Sequence, residues 1–491
     1  MSPVLASGIV IESSASRRFC SGSSLSLMSC PTTPAPANGE NKKRKSGNIF
    51  IFTIYYNFEM KNNPPTALLL VIDALGISTL EHLLRNYNKK IKLPNLSRLG
   101  LGKITAPEFG KRFSPEYAGR SYAAAVRQAS ATADSLVGHR EMMGVLDDRT
   151  YDLFNDGFPA KYIAGLEKRI GRKTFFNKMA AGMEAIELNA AEHERTGSPI
   201  VYASKCDPLI QLAMNEAVIP VKEQHRIADA AFALAMEMGI PITRAIARSY
   251  IRDSSGAIVR TSNRHDAVLP IGGRTLVEIL YDKDIWTAAV GKTSDLVNTS
   301  YHEKVKLTGL NFIDPSLGLR FVHSGKKDTN PYSIQGTINA LTGARHIYRP
   351  RGTFIFSNLV DTDSLYGHTR DIPGAVKALE EIDRVIPLFE SRLVKGDLLI
   401  ITADHGMEHR DDYGYHSNEP LPFLAARKGY GGDLGGLRTG VCPGLSDIGH
   451  VIGQLFGVQK EYREMAGIRR TILLPACPHN PVPRRRGRTG A

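Results

Sequence analysis

Five side chains able to ligate a metal crowd into one short stretch of this chain. Asp363, His368, Asp404, His405 and His416 fall within 54 residues. Carboxylates mixed with imidazoles suit divalent cations of the manganese or zinc kind, whereas magnesium prefers an all-oxygen shell. A sixth candidate, Asp73, ends the apolar run Ala67-Leu-Leu-Leu-Val-Ile72. Six ligands are about what two cations need, and such a pair can clamp a phosphoryl group between an attacking and a leaving oxygen. The group it would activate is a hydroxyl. Residues 129–141, Ala-Ser-Ala-Thr-Ala-Asp-Ser-Leu-Val-Gly-His-Arg-Glu, look like a loop feeding a helix, where backbone N–H groups can meet an anion. Ser135 is the leading nucleophile there; Ser130 and Thr132 compete, and helix capping is the alternative role for Ser135.

To meet, these groups need strands that end side by side. Ala67–Ile72, Gly352–Val360 and Asp397–Thr402 are apolar runs of the type found in buried parallel strands, each followed within a few residues by a candidate ligand. Open α/β sheets gather their ligands at the C-terminal ends of strands. A helix capped by Ser78 and running to Asn86 should follow the first strand. Alternating strands and helices from 271 to 460 predict a doubly wound, mostly parallel α/β sheet. From about 155 to 270 the pattern changes to a helix over Glu223–Met238, a strand over Thr243–Ile251, and a cluster of Arg244, Arg248, Arg260, Asn263, Arg264 and His265. This reads as an inserted α+β cap whose arginines can hold phosphate bidentately. The expected order is a tail over 1–64, core over 65–154, cap over 155–270, core over 271–462 and a Pro/Arg-rich tail over 463–491.

A chain of 491 residues exceeds one hydrophobic core, in line with that division. Its net charge of +13 suggests nucleic acid at first, but residues 1–64 contribute +4 and 465–491 contribute +6. The body is nearly neutral, so no nucleic-acid partner is expected of it; a non-catalytic binding protein would have to act through its basic tails. Residues 1–47, rich in Ser, Pro, Thr and Gly, should be disordered. They resemble a transit peptide only faintly, and Lys42-Lys-Arg-Lys45 reads as a solvated cluster. The five cysteines, Cys20, Cys30, Cys206, Cys442 and Cys477, form no C-x-x-C pair, which argues for a reducing compartment without a zinc ribbon. A cytoplasmic protein is expected, with an organelle as the weaker alternative. The longest apolar suspect, Ile49–Tyr56, is far short of the ~18–20 residues that span a bilayer, so no membrane partner is expected.

The order of motifs is itself informative. A strand-end aspartate precedes Asp134-Ser-Leu-Val-Gly-His139; then come Asp363-Ser-Leu-Tyr-Gly-His-Thr-Arg-Asp371, Thr402-Ala-Asp-His-Gly406 and a late His416. This order resembles the alkaline-phosphatase superfamily and, within it, the phosphopentomutase family. The resemblance runs from about 67 to 458 and includes Gly197–Tyr202, Thr261-Ser-Asn-Arg-His-Asp266 and Gly273-Arg-Thr275 outside the metal motifs. It implies an alkaline-phosphatase-like core, and two divalent ions, manganese above all. Asp73, Asp404 and His405 would hold one ion, Asp363, His368 and His416 the other. It further implies that Ser135 is the residue phosphorylated, that Asp207, Arg264, Lys292 and less closely Arg248 meet the sugar phosphate, and that (deoxy)ribose 1- and 5-phosphates interconvert through a bisphosphate. The loop departs from the family pattern at Ala133, where lysine is usual, and Arg140, where tryptophan is usual. Met407-Glu-His409 replaces Asn-Asp-Pro, leaving His409 as a stray ligand candidate. A phosphoglycerate-mutase-like enzyme and a metal-dependent phosphatase or phosphodiesterase are the rival readings.

Overall fold

The structure, a computed structural model, describes residues 64–467 apart from 111–120, 306–312, 323–327, 348, 411–412, 432–433, 435–436 and 438–443. The expectations for the two tails, including Lys42–Lys45 and Ile49–Tyr56, lie outside the described residues, as do Cys20, Cys30, Cys442 and Cys477.

A run of aliphatic residues with no polar alternation can only be covered on both faces, and β1 (Thr66–Ile72) is buried at all seven positions. It lies inside a seven-stranded sheet with β2 (Tyr122–Val126), β9 (Trp286–Val290), β10 (Glu303–Val305), β11 (Thr353–Leu359), β12 (Leu398–Thr402) and β15 (Leu421–Arg427), in the order β10-β9-β11-β1-β12-β15-β2. The pairs from β10 to β12 are parallel; β15 runs antiparallel to both β12 and β2. This is the mixed, mostly parallel α/β sheet expected. Ile72 stands level with Leu359, and Val71 with Thr402. Three strands therefore end together, and the residues that follow them, Asp73, Val360 and Ala403, begin one shared edge.

A second, mixed sheet is built from β3 (Phe175–Met179), β4 (Ile200–Ala203), β5 (Leu209–Asn215), β6 (Arg244–Arg252), β7 (Ile258–Arg260) and β8 (His265–Val268). It has its own apolar cluster, in which Phe158 and Tyr162 meet Ile210, Leu212, Ala228 and Ala247. Tyr162 donates to the Ala231 carbonyl at 2.8 Å, tying helix Ala160–Ile170 to helix Val221–Glu237. A separate short hairpin pairs β13 (Gly406–His409) with β14 (Gly414–Ser417).

Two local expectations are corrected. The helix after β1 spans Ile77–Asn86 with Gly76 as its N-cap, so Ser78 lies inside the first turn. The cap is supplied from far away: the Glu419 carboxylate accepts from the Thr79 amide at 2.8 Å and its hydroxyl at 2.9 Å. At the other end, a helix over Gln459–Met465 continues past 462, with Tyr462 fully buried against the core. Among the described residues no helix is long and apolar enough to cross a membrane.

Candidate active site

The shared strand edge assembles the first three ligand candidates. Asp73 follows β1, and Asp404 and His405 follow β12; all three are fully buried. His405 Nε2 lies 3.5 Å from Asp73 Oδ1 and 3.6 Å from Asp404 Oδ2. Those two carboxylate oxygens are buried without a hydrogen bond among the described residues. Every other position around them is fixed. Asp404 Oδ1 accepts from the Ala74 and His405 amides, each at 3.1 Å, Asn358 Nδ2 donates to Asp73 Oδ2 at 3.2 Å, and Nδ1 of His405 faces the Gly406 carbonyl at 3.0 Å. Ala74 takes a left-handed φ of 59° to present its amide, a strained conformation of the kind kept at functional sites.

Charge tells the same story. Burial, reinforced by Asp404 and Asp363, raises the Asp73 pKa well above the carboxylate range. Burial lowers that of His405, so its imidazole is neutral and free to ligate. Burial alone would raise Asp404 too, but His405 and His139 hold it far below its ordinary value, so the costly carboxyl is Asp73, and a divalent cation beside it would remove that cost. The residues present fit a metal.

Beside the first, Asp363 gathers with His405 and His416, and His368 with His416 and Cys206, so the expected second trio is met pairwise through Asp363. Thr362–Gly367 winds as a π-turn after β11, tied to the Asp73 carbonyl by the Thr362 hydroxyl at 2.6 Å. It carries Asp363 and leads to His368, whereas nearby Asp361 is committed to the amides of Thr329 and Asn330. Asp363 Oδ1 is 3.3 Å from His368 Nε2 and 3.2 Å from His416 Nε2, the latter on β14. Nδ1 of His368 meets the Gly414 carbonyl at 2.9 Å and that of His416 the Ala133 carbonyl at 3.2 Å. Such backbone contacts orient metal-ligating imidazoles. The His405 and His416 rings stack at 3.8 Å, which joins the two groups. Burial opposes charge on His368, but Asp363 and Cys206 outweigh it and push its pKa up to about 10. His409 joins neither group and packs edge-on against His82.

The nucleophile candidates separate cleanly. Ser135 Oγ lies 3.1 Å from His405 Nε2. Ser130 accepts from the Thr132 amide at 3.3 Å, and neither residue belongs to the cleft lining. Asp134, not Ser135, is the N-cap of helix Ser135–Met142, and its side chain takes the Leu136 and Val137 amides at 2.7 and 3.4 Å. Those two amides are thus committed to the cap. The helix sits directly on the strand edge because Gly138 has no side chain: a Cβ there would stand 2.3 Å from the Asp404 carbonyl oxygen. Glu141 pins the approaching loop by accepting the Ala129 amide at 2.8 Å.

The second sheet faces this edge across a cleft of about 460 Å³. Ser135, Asp207, Arg248, Arg264 and Lys292 all line it, as do Arg244 and Arg260. Arg244 bridges the sheets, donating to Asp134 at 2.9 Å and Asp207 at 3.2 Å. Burial alone would raise the Asp207 pKa, but His416 and Arg244 hold it far below its ordinary value. Burial and the neighbouring Arg264 lower the Arg248 pKa to about 9. An arginine so poorly solvated, beside further arginines, is a ready receptor for an anion.

A family model described as the metalloenzyme superfamily matches residues 322–460. A protein of Pseudothermotoga lettingae named phosphopentomutase is 34% identical over 371 residues, covering 76% of this chain and 87% of that one. One of the same name from Caldanaerobacter subterraneus subsp. tengcongensis is 34% identical over 385 residues, covering 78% and 88%. The chain belongs to the phosphopentomutase family. Its function is of phosphopentomutase type, that of an isomerase that binds divalent metal. Among solved structures, Leishmania mexicana phosphoglycerate mutase at low cobalt concentration aligns over 81% of this chain and 96% of its own at 13% identity, with a TM-score of 0.39, too low to carry an argument.

For a phosphopentomutase-type chain the sequence reading missed several neighbours of the site. His139, whose Nδ1 meets the Ser135 carbonyl at 2.8 Å, and Asn358, which meets both Asp73 and His139, have no spacing signal because they act across elements. Arg244 was visible only as one member of a basic cluster. Cys206, 3.5 Å from His368 Nε2, could have been suspected from its place beside Asp207.

Proposed function

We propose that the enzyme interconverts the 1-phosphate and 5-phosphate of ribose or deoxyribose, with Ser135 as the phosphoryl carrier. Asp73, Asp404 and His405 would hold one divalent cation and Asp363, His368 and His416 the second, manganese fitting the mixed carboxylate and imidazole donors. When bound, the pair lowers the serine hydroxyl pKa and neutralises phosphoryl charge. Ser135 hands its phosphoryl group to the free hydroxyl of the sugar phosphate, giving a bisphosphate, and takes back the other group. Asp207, Arg248, Arg264 and Lys292 hold the distal phosphate and sugar, the arginines by bidentate hydrogen bonds. The second sheet acts as a cap over the cleft, excluding water so that the phosphoserine transfers to sugar and not to solvent.

The observation that carries this reading is the placement of Ser135 Oγ, 3.1 Å from His405 Nε2, at the floor of a cleft lined by arginines of the other sheet. The test is direct. Protein loaded with manganese is given ribose 1-phosphate, and ribose 5-phosphate is followed against free phosphate. Conversion to the 5-phosphate supports a mutase; free phosphate as the main product overturns it in favour of a phosphatase.

A further inference from the structure

The cleft contains a thiol, a strong metal ligand that the six-residue set does not use. Cys206 sits on the loop between β4 and β5, buried, with its Sγ 3.5 Å from His368 Nε2 and 3.9 Å from Asp207 Oδ2. Ligand atoms of Cys206, His368 and His416 all lie within 4.8 Å of one another. A tetrahedral zinc with Zn–S of about 2.3 Å and Zn–N of about 2.0–2.1 Å places sulfur and nitrogen roughly 3.5 Å apart. The Cys206–His368 separation matches that edge. The two histidines are also oriented as ligands, each with Nδ1 against a backbone carbonyl, and Asp363 Oδ1 touches the Nε2 of both. Cys206, His368 and His416 thus form one group, and Asp363 Oδ1 approaches both of its imidazoles from the side.

We propose that Cys206, His368, His416 and Asp363 form a closed four-ligand site for a thiophilic divalent cation, zinc foremost. This rests on the reading that His368 and His416 are metal ligands. Thiolate selects zinc, cobalt or cadmium over manganese. On binding, the Cys206 thiol releases its proton to solvent and its sulfur bonds the cation. Four protein ligands leave no open position, the hallmark of structural zinc sites, so zinc here is inhibitory. It also staples the β4–β5 loop of the second sheet to the strand edge of the first. The same place in the cleft therefore has two donor sets: a carboxylate–imidazole set for manganese and turnover, and a sulfur-containing set for zinc and arrest.

The full-length protein, stripped of metal with a chelator, is titrated with cobalt(II) and then with zinc in competition. A thiolate-to-cobalt charge-transfer band in the near ultraviolet is expected in the wild type and absent in Cys206→Ser and Cys206→Ala. Zinc affinity should fall by ~10-fold or more in the variants, since even outer-shell changes cost that much, while manganese affinity changes little. Cobalt bound with no thiolate band, or zinc affinity unaltered by the substitutions, overturns the proposal and leaves the six-ligand reading standing. No cobalt bound at all overturns both. Should the variants fail to fold, X-ray absorption of the zinc-loaded wild type decides: sulfur at about 2.3 Å supports the site, and a shell of nitrogen and oxygen alone refutes it.

Discussion

The two halves of the candidate ligand cluster differ in where their counter-charge comes from. The Asp73–Asp404–His405 half is made wholly at the ends of β1 and β12, fully buried, with two oxygens left unbonded and a neutral imidazole. Its Asp73 is pushed up by burial and by Asp404, whereas His405 and His139 outweigh burial and hold Asp404 far below its ordinary value. The Asp363–His368–His416 half is built from a π-turn, a hairpin strand and the neighbourhood of Cys206 and Asp207, and its histidines carry the charge that its carboxylates need. In the first half one carboxyl, Asp73, is left uncompensated, whereas in the second the histidines offset Asp363. Similar donors are wired differently in the two halves.

The largest effect should come where the halves meet. Ser135→Ala should cut conversion of pentose 1-phosphate to 5-phosphate by on the order of 10⁴-fold or more, the scale of losing a covalent carrier. Ser130→Ala should stay within a few-fold. Comparable activity in the two variants would move the carrier elsewhere and dissolve the junction.

Next comes a contrast of sign. In chelator, Asp363→Asn strips the partner from two buried imidazoles and should cost about 3–5 kcal/mol in urea unfolding. Asp73→Asn removes a like-charge neighbour of Asp404 and should stabilise the metal-free protein. Saturating manganese should turn the Asp73→Asn gain into a loss. If both variants lose stability in chelator, the halves are wired alike and the comparison fails.

The smallest effect concerns the loop that feeds the first half. Burial raises the Glu141 pKa to about 7. The folded state therefore holds a proton that the unfolded chain, with an ordinary carboxyl at 4.5, has lost. Its stabilising share is complete below pH 4.5 and is lost as pH rises through about 7, by about 3 kcal/mol at most. The stability difference between wild type and Glu141→Gln should follow that course from pH 4.5 to 8. A difference flat with pH would mean that Glu141 titrates normally.

What could be read from the chain alone follows from how local each signal is. Largely apolar runs mark β1, β11 and β12, and a charged residue within a few positions beyond each run marks the ligand edge; both patterns are contained in a few residues. The Ser78 cap failed because its replacement, Glu419, lies 340 residues beyond Thr79, whose amide it takes. Ser135 could not be separated from Ser130 and Thr132 by sequence, since all three are hydroxyls in one small-residue loop. Its distance to His405 separates them. Arg244 links Asp134 to Asp207 across 110 and 37 residues, and no periodicity encodes such a bridge. Contacts across elements are what the reading lacked.

Gly138 gives the site its mechanics. Where most catalytic spacings pass through rotatable side chains, here the helix that begins at Ser135 rests backbone on backbone against Asp404. The serine and the first ligand set are thereby cast as a single block. The two backbones cannot part without lifting the helix, so only the side-chain torsions of Ser135, Asp404 and His405 are left to set the gap between the hydroxyl and the candidate ligands.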